Sequence, residues 1–135
     1  MQIFGVGTDI TECARIQRML TEHGDYFATR VYTVWELEYC RSRKQFVESF
    51  TGRWCAKEAI LKAIGTGWVR GIAWRDMEIQ TPASGAPFVL LRNGTLEAAR
   101  IRGISDIFIT ISHCSSHATA TAIAVSDGGD FRRIF

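Results

Sequence analysis

Several features that would assign a protein to a special class are missing from this 135-residue chain. No apolar run approaches the roughly 20 residues of a membrane-spanning helix, so we expect no membrane contact. The four cysteines, Cys13, Cys40, Cys55 and Cys114, form no CxxC pair, which argues against a zinc knuckle or a redox motif. With no signal peptide visible, we expect reduced thiols and a cytoplasmic location.

The chain also has little net charge. The 16 Lys and Arg exceed the 14 Asp and Glu by a net charge of only +2, which argues against a general binder of nucleic acid or another polyanion. Any anion site must therefore come from local clustering of cations. Length and composition suit one globular domain without repeats or linkers. We assign this domain to residues 1–126 and expect the polar, Gly-rich residues 127–135 to form a loosely held tail.

The stretch from Ser49 to Gly67 predicts a long central helix. One apolar stripe recurs at steps of three and four residues, namely Phe50, Trp54, Leu61 and Ile64. Gly65 stands where a left-handed residue would end the helix.

The charges of this helix are its unusual feature. Glu58 is the only carboxylate of the stretch, and it stands among the cations Arg53, Lys57 and Lys62. A carboxylate can hold a hard cation, and cations followed by a Gly65-Thr66-Gly67 turn suit phosphate oxygens. The alternative is an amphipathic helix with a solvated charged face, and the stretch taken alone favours that alternative because such patterns are common.

A strand is predicted over Gln2 to Thr8, and two glycines interrupt its apolar residues. Gly5 and Gly7 weaken a strand, and glycines there often mark the close approach of another backbone or a ligand. Asp9 follows at once, which places a carboxylate at the carboxyl end of the strand, where functional sites often lie. The alternative is that Asp9 caps the following helix.

The remaining pattern predicts an α+β fold. We expect helices over about 12–22 and 35–43, the second opened by a capping box of Thr33 and Glu36. Strands are expected over 75–81, 88–91, 106–112 and 117–126, with a helix capped by Thr95 and ended by Gly103 in between. The last strand has alanines on one face, at positions 118, 120, 122 and 124. Such a face predicts close packing of a helix or of another subunit, and we take a subunit interface as the working hypothesis.

Two motifs stand together in this chain and are specific as a pair. They are Gly5-Val6-Gly7-Thr8-Asp9-Ile10, and Arg53-Trp54-Cys55-Ala56-Lys57-Glu58-Ala59 continuing through Lys62-Ala63-Ile64-Gly65-Thr66-Gly67. Three shorter segments accompany these motifs, namely Arg15-Ile16, Gly85-Ala86-Pro87 and Ile111-Ser112-His113. Nearly the whole chain thus resembles the small bacterial holo-acyl-carrier-protein synthases of the 4′-phosphopantetheinyl transferase superfamily. It departs from them in having Trp54 where phenylalanine is usual and Ala86 where lysine is usual.

The resemblance implies a fold and a reaction. The fold would be a small antiparallel sheet packed with a long central helix, assembled as a homotrimer with active sites between subunits. The reaction would transfer 4′-phosphopantetheine from coenzyme A to a serine of apo-acyl-carrier protein in fatty acid biosynthesis. It would require Mg²⁺ and release adenosine 3′,5′-bisphosphate.

The resemblance also implies roles for particular residues. Asp9 and Glu58 would be the metal carboxylates, and Lys62 would reach the same phosphates, so these three are the implied catalytic residues. The coenzyme would be bound by Lys44, Arg53, Lys62, Gly65, Thr66, Gly67, Pro87 and His113. Of these, Lys44, Arg53 and His113 would lie near the 3′-phosphate, and the N–H groups of residues 65–67 could form an anion nest.

The first helix would supply the carrier-protein surface through Arg15, Arg18 and Met19. Without the family, the two arginines are usually solubilising charges but could also meet an acidic partner. For His113, a polar turn residue and a functional residue are then equally good interpretations. The acceptor of the serine proton is left open between Glu58 and a metal-positioned water. A different function on the same fold is a non-catalytic module that binds coenzyme A or a nucleotide. The presence of both Asp9 and Glu58 favours the enzyme.

Overall fold

A five-stranded antiparallel sheet and one 19-residue helix form the framework of the molecule. The structure is a computed structural model that describes residues 1–135. Its elements are β1 (Gln2–Glu12), α1 (Cys13–His23), α2 (Asp25–Val31), α3 (Val34–Ser42), α4 (Phe46–Ile64), a 3₁₀ turn (Trp74–Asp76), β2 (Met77–Gln80), β3 (Phe88–Leu91), α5 (Asn93–Ile101), β4 (Asp106–His113) and β5 (His117–Ser126). The strands lie in the order β1-β5-β4-β3-β2. This arrangement confirms the predicted α+β class and its long central helix.

The inner face of the sheet packs against α4. Gly5, Gly7 and Asp9 of β1 lie opposite Ala124, Ala122 and Ala120 of β5, and paired residues of neighbouring strands point to the same face. The four alanines of β5 are each at most 2% exposed and belong to the main core with α4. The hypothesis of a subunit interface on this face is therefore wrong, because a helix of the same chain already covers it.

The two glycines of β1 permit this packing. A Cβ atom at Gly5 would lie 2.2 Å from the carbonyl oxygen of Ala63, and one at Gly7 would lie 2.0 Å from that of Ala59. No side chain fits at such distances, so β1 passes directly over the backbone of α4. The prediction of a close backbone approach at these glycines is confirmed.

Asp9 lies within β1, because the strand continues beyond the predicted end at Thr8. Pairing with β5 extends as far as Glu12, which lies opposite His117. Glu12 occupies the N-cap position of α1, and no side-chain hydrogen bond caps that helix. The alternative interpretation of Asp9 as a helix cap is therefore wrong.

Helices α1 to α3 enclose a second, smaller core. It contains Ile16, Phe27, Tyr32, Leu37, Cys40 and Phe50. The capping box of α3 is present as predicted: Glu36 N–H donates to Thr33 Oγ1, and Thr33 N–H donates to Glu36 Oε1. Helix α2 was not predicted, since its seven residues give too short a periodic pattern and it is held by burying Phe27.

Two further predictions differ from the structure. Thr95 does not cap α5; that helix begins at Asn93, whose side-chain amide donates to Asp76 Oδ1 at 3.2 Å. Residues 127–135 lie against the domain, with Phe131 buried in the main core. The N–H of Leu91 donates to the Arg133 carbonyl and that of Phe135 to the Leu91 carbonyl. These contacts attach the tail more closely than the sequence predicted.

All four cysteines are free thiols. Among the helices, none combines the length and the apolar character that crossing a membrane requires.

Replacing Gly7 with alanine tests the contact between β1 and α4. We expect Gly7→Ala to lower the free energy of unfolding by about 3 kcal/mol, the upper end of the usual cost of overpacking. Gly85→Ala is the matched control, because its Cβ would lie 3.6 Å from Pro82 Cγ, an ordinary contact, and should change stability by less than about 0.5 kcal/mol. Urea denaturation measures both, and equal losses would contradict a special role for the β1–α4 contact.

Candidate active site

Asp9, Glu58 and Lys62 meet where β1 crosses α4, and we call these three residues the carboxylate cluster. Lys62 Nζ donates to the Thr8 carbonyl oxygen at 2.9 Å and lies 3.4 Å from Asp9 Oδ1. The other oxygen of Asp9 accepts a hydrogen bond from Thr11 Oγ1 at 2.9 Å. The structure thus brings together the three residues that the resemblance implied as catalytic.

The electrostatics of the cluster suit a bound cation. Burial raises the pKa of Glu58, the negative charge of Asp9 raises it further, and Lys62 and Arg15 oppose this. Like charges that disturb one another in this way are relieved by a cation held between them. No group of three or more His, Cys, Asp or Glu side chains suited to a metal occurs in the structure. Two carboxylates with the remaining positions open are the donor set that Mg²⁺ prefers when it also binds phosphates and water.

The turn after α4 has its predicted shape but not its predicted anion nest. Gly65 has φ +92° and Gly67 has φ +60°, so Gly65 ends the helix as expected. The N–H groups of Gly65, Thr66 and Gly67 lie 3.0, 3.2 and 3.4 Å from the carbonyl oxygen of Leu61. These groups close the helix, so they do not face an open anion site in this structure.

A second site is a polar cleft of about 190 Å³ between α4 and the sheet. Arg53, Pro87 and His113 line it, together with Arg43 and Glu48. We call it the basic cleft. Because two arginines and a histidine face the same space, it suits a phosphate or another anion.

Arg53 is held firmly at the wall of the basic cleft. Its Nε donates to the Ile79 carbonyl oxygen at 3.2 Å and its Nη2 to Thr81 Oγ1 at 2.9 Å. Its guanidinium carbon lies 4.3 Å from the ring centroid of Tyr39. These contacts orient the planar group and hold its charge beside the cleft.

Lys44 does not line the basic cleft with Arg53 and His113. It lines a neighbouring depression beside Gln17 of α1. Helix α3 ends at Ser42 and Arg43 has extended backbone angles, so consecutive side chains turn to different sides. Arg43 therefore faces the basic cleft, where the resemblance had implied Lys44.

Lys57 has a structural position that the sequence did not reveal. Its Nζ is completely buried and donates to Glu36 Oε1 at 2.7 Å and to the carbonyl oxygens of Val31 and Trp74 at 2.5 and 3.2 Å. Burial lowers the pKa of Lys57, and the partner Glu36 opposes this effect. Of the cations on α4, Lys57 therefore holds the fold together. Because Lys57 and Arg53 are both buried, a solvated charged face does not describe this helix.

The three residues implied in carrier binding lie on one side of α1. Arg15 and Arg18 line one depression, and Met19 lines an apolar pocket together with Trp54. Arg15 also lies over the ring of Trp54, with 5.7 Å between the guanidinium carbon and the ring centroid. This basic and apolar surface adjoins the carboxylate cluster, because Arg15 influences the pKa of Glu58.

Sequence reasoning missed Glu48 and the pairing of Glu36 with Lys57. Glu48 lies in the first turn of α4, one residue before the stretch that the periodicity marked as helical. Glu36 was recognised only as a capping residue. Glu48 lies 2.9 Å from His113 of β4, and Glu36 pairs with Lys57 of α4. Both contacts join segments that are far apart in the sequence, so no local signal indicated them.

Comparisons with known proteins agree with the fold. The sequence profile of the 4′-phosphopantetheinyl transferase superfamily matches residues 5–122. A holo-[acyl-carrier-protein] synthase of Chlamydia pneumoniae is 42% identical over 126 residues, which cover 93% of this chain and 100% of that protein.

Solved structures of similar proteins share the fold of this chain. The holo-[acyl-carrier-protein] synthase of Neisseria meningitidis superposes with a TM-score of 0.83 at 31% identity, covering 92% of this chain and 99% of the other. The Helicobacter pylori enzyme in complex with coenzyme A gives a TM-score of 0.78 at 25% identity, covering 89% and 99%. The chain belongs to the 4′-phosphopantetheinyl transferase superfamily.

Removing Lys57 tests its structural role. Lys57→Met leaves the Glu36 carboxylate buried without its partner, and we expect a loss of about 3–5 kcal/mol in the free energy of unfolding. Arg41→Met is the control, because the Arg41–Asp25 ion pair is exposed and should contribute no more than about 1 kcal/mol. Urea denaturation measures both variants. A Lys57→Met protein as stable as the control would show that Lys57 does not hold the core.

Proposed function

We propose that this protein transfers 4′-phosphopantetheine from coenzyme A to a serine hydroxyl of apo-acyl-carrier protein, with Mg²⁺ bound and adenosine 3′,5′-bisphosphate released. The observation that carries the proposal is the carboxylate cluster, where Asp9 from β1 and Glu58 from α4 perturb one another beside Lys62. The names of the relatives, and the coenzyme A complex of the H. pylori enzyme, support the choice of substrates.

Each residue of the carboxylate cluster has a part in the proposed reaction. Asp9 and Glu58 would hold Mg²⁺, which neutralises charge on the pyrophosphate as the bond to the leaving phosphate breaks. Lys62, half exposed and already beside Asp9, would donate to the same phosphate oxygens. Glu58, or a water held beside it, would accept the proton of the serine hydroxyl.

The basic cleft is the place we propose for the 3′-phosphate end of coenzyme A. Arg53 and His113 face it with Arg43, and Pro87 forms part of its wall. Lys44 lies next to it and would act only at its edge. The carrier protein, which is acidic in this family, would dock on Arg15, Arg18 and Met19 because charge complementarity guides such encounters. We place the reaction in cytoplasmic fatty acid biosynthesis, in agreement with the four free thiols.

We further propose a homotrimer assembled through the outer face of the sheet. Val6 of β1 and Phe108 of β4 both pair with Ile123 of β5, so these side chains form one row. Val6 is 59% exposed and Phe108 48% exposed. Apolar exposure of this kind on a sheet face is typical of an interface between proteins. The outer face of the sheet, and not the alanine face of β5, is therefore the assembly surface that we propose.

A transfer assay tests the proposed function. The protein is incubated with coenzyme A, Mg²⁺ and an apo-carrier protein, and mass spectrometry follows the phosphopantetheine added to the carrier. We expect Asp9→Asn and Glu58→Gln to lose at least about a hundredfold in activity, since charge stabilisation of the transition state is lost, while circular dichroism stays unchanged. The control Glu97→Gln alters an exposed carboxylate of α5 and should retain full activity.

Two outcomes of this assay would contradict the proposal. Either metal variant with near-normal, Mg²⁺-dependent activity would refute the metal assignment. A wild-type protein that binds coenzyme A but transfers nothing to any apo-carrier would instead support the non-catalytic module.

The trimer is tested by placing a charge on the outer face. We expect Phe108→Glu to dissociate the assembly, because burying an unpaired carboxylate is strongly unfavourable. Ile101→Glu is the control, since Ile101 is 73% exposed on α5 and lies outside the outer face. Sedimentation velocity should show trimers for the wild type and the control, and monomers for Phe108→Glu. A wild-type protein that is monomeric and fully active at assay concentration would refute a shared active site.

A further inference from the structure

A carboxylate lies among the cations of the basic cleft. Glu48 Oε2 is 2.9 Å from Nδ1 of His113, and the Glu48 side chain is only 18% exposed. It shares the lining of the cleft with Arg43 and Arg53. A carboxylate in a site for anions repels the anion directly. It can favour binding only by acting on a neighbouring group that contacts the anion.

The backbone holds Glu48 and His113 at this distance. Gly52 lies one turn after Glu48 on α4, and a Cβ there would lie 2.8 Å from Ile111 Cγ2. Ile111 is two residues before His113 on β4. The tight contact of Gly52 with Ile111 therefore fixes the distance between helix and strand beside the pair, which makes the pairing a feature of the fold.

The contact with Glu48 determines which ring nitrogen of His113 remains for a ligand. A histidine has two distinct nitrogens, and a carboxylate bound at one of them sets the orientation of the ring and the role of the other. Here Nδ1 lies 2.9 Å from Glu48 Oε2, so Nε2 is the ring nitrogen left for a ligand. A histidine ring that carries a proton on each nitrogen can bridge a carboxylate at Nδ1 and an anion at Nε2.

We propose that Glu48 is a positioning residue for coenzyme recognition. It holds the His113 ring so that Nε2–H donates to the 3′-phosphate of coenzyme A, and it thereby sets the preference for coenzyme A over 3′-dephospho-coenzyme A. This inference rests on the proposed function. It adds Glu48 as the residue that orients His113 so that His113 can distinguish the two coenzymes.

Kinetics with the two coenzymes test the inference. We expect Glu48→Ala to raise KM for coenzyme A about tenfold, the effect of losing one charge-assisted hydrogen bond. KM for 3′-dephospho-coenzyme A and kcat with either coenzyme should stay within about twofold of the wild type. Glu48→Gln should restore much of the affinity, since its amide oxygen can take the place of Oε2 beside Nδ1.

A double-mutant cycle separates positioning from a direct effect of the charge. His113→Ala should raise KM for coenzyme A by itself, and Glu48→Ala should add nothing in the His113→Ala background. Titration calorimetry with adenosine 3′,5′-bisphosphate should give the same pattern without any turnover.

The results that would overturn the inference are distinct. An equal rise in KM for both coenzymes would mean that Glu48 only supports the fold. A lower KM for coenzyme A in Glu48→Ala would mean that the carboxylate repels the phosphate. An undiminished effect in the His113→Ala background would mean that Glu48 acts without His113. If the wild-type protein transfers nothing from either coenzyme, the proposed function itself fails, and calorimetry then tests the positioning separately.

Discussion

The passage of β1 directly over the backbone of α4 is the constraint on which the rest of the structure depends. Side chains at Gly5 and Gly7 would overlap the carbonyl oxygens of Ala63 and Ala59, so glycine is required at both positions. The same contact brings Asp9 to Lys62 and within electrostatic reach of Glu58. The close packing that stabilises the fold therefore also assembles the carboxylate cluster.

A second constraint fixes the rotation and depth of α4. Lys57 donates to Glu36 and to the carbonyl oxygens of Val31 and Trp74, and the second oxygen of Glu36 accepts the N–H of Ile79. One buried pair thus joins α3, the end of α2, the turn before β2 and β2 itself to the helix. Glu58 follows Lys57 in the chain, so a helix held by Lys57 presents Glu58 at a fixed position beside β1.

Local signals predicted much of this arrangement, and contacts between distant segments explain what was missed. Gly65 and the capping box of Thr33 act on backbone only a few residues away, and glycines inside a strand are themselves an unusual signal, so these patterns identify the residues in the sequence. The pairs Glu36–Lys57 and Glu48–His113 depend on how helices and strands pack, which periodicity does not reveal.

The alanine face of β5 also shows that a sequence pattern does not identify the element that packs against it. Its small side chains correctly predicted close packing, but composition does not distinguish a helix of the same chain from another subunit. The structure shows that this face packs against α4, because its alanines share the main core with residues of that helix. The candidate site residues came from the resemblance to a family, and the structure brings Asp9, Glu58 and Lys62 together while separating Lys44 from His113.

In the proposed reaction, a strand and a helix each contribute one carboxylate to a single metal ion. Crystals grown with coenzyme A and Mn²⁺ in place of Mg²⁺ would locate the ion through its anomalous scattering. We expect one anomalous peak, about 2.1 Å from oxygens of both Asp9 and Glu58 and in contact with the pyrophosphate. A peak elsewhere in the molecule, or no peak while coenzyme A is clearly bound, would contradict it.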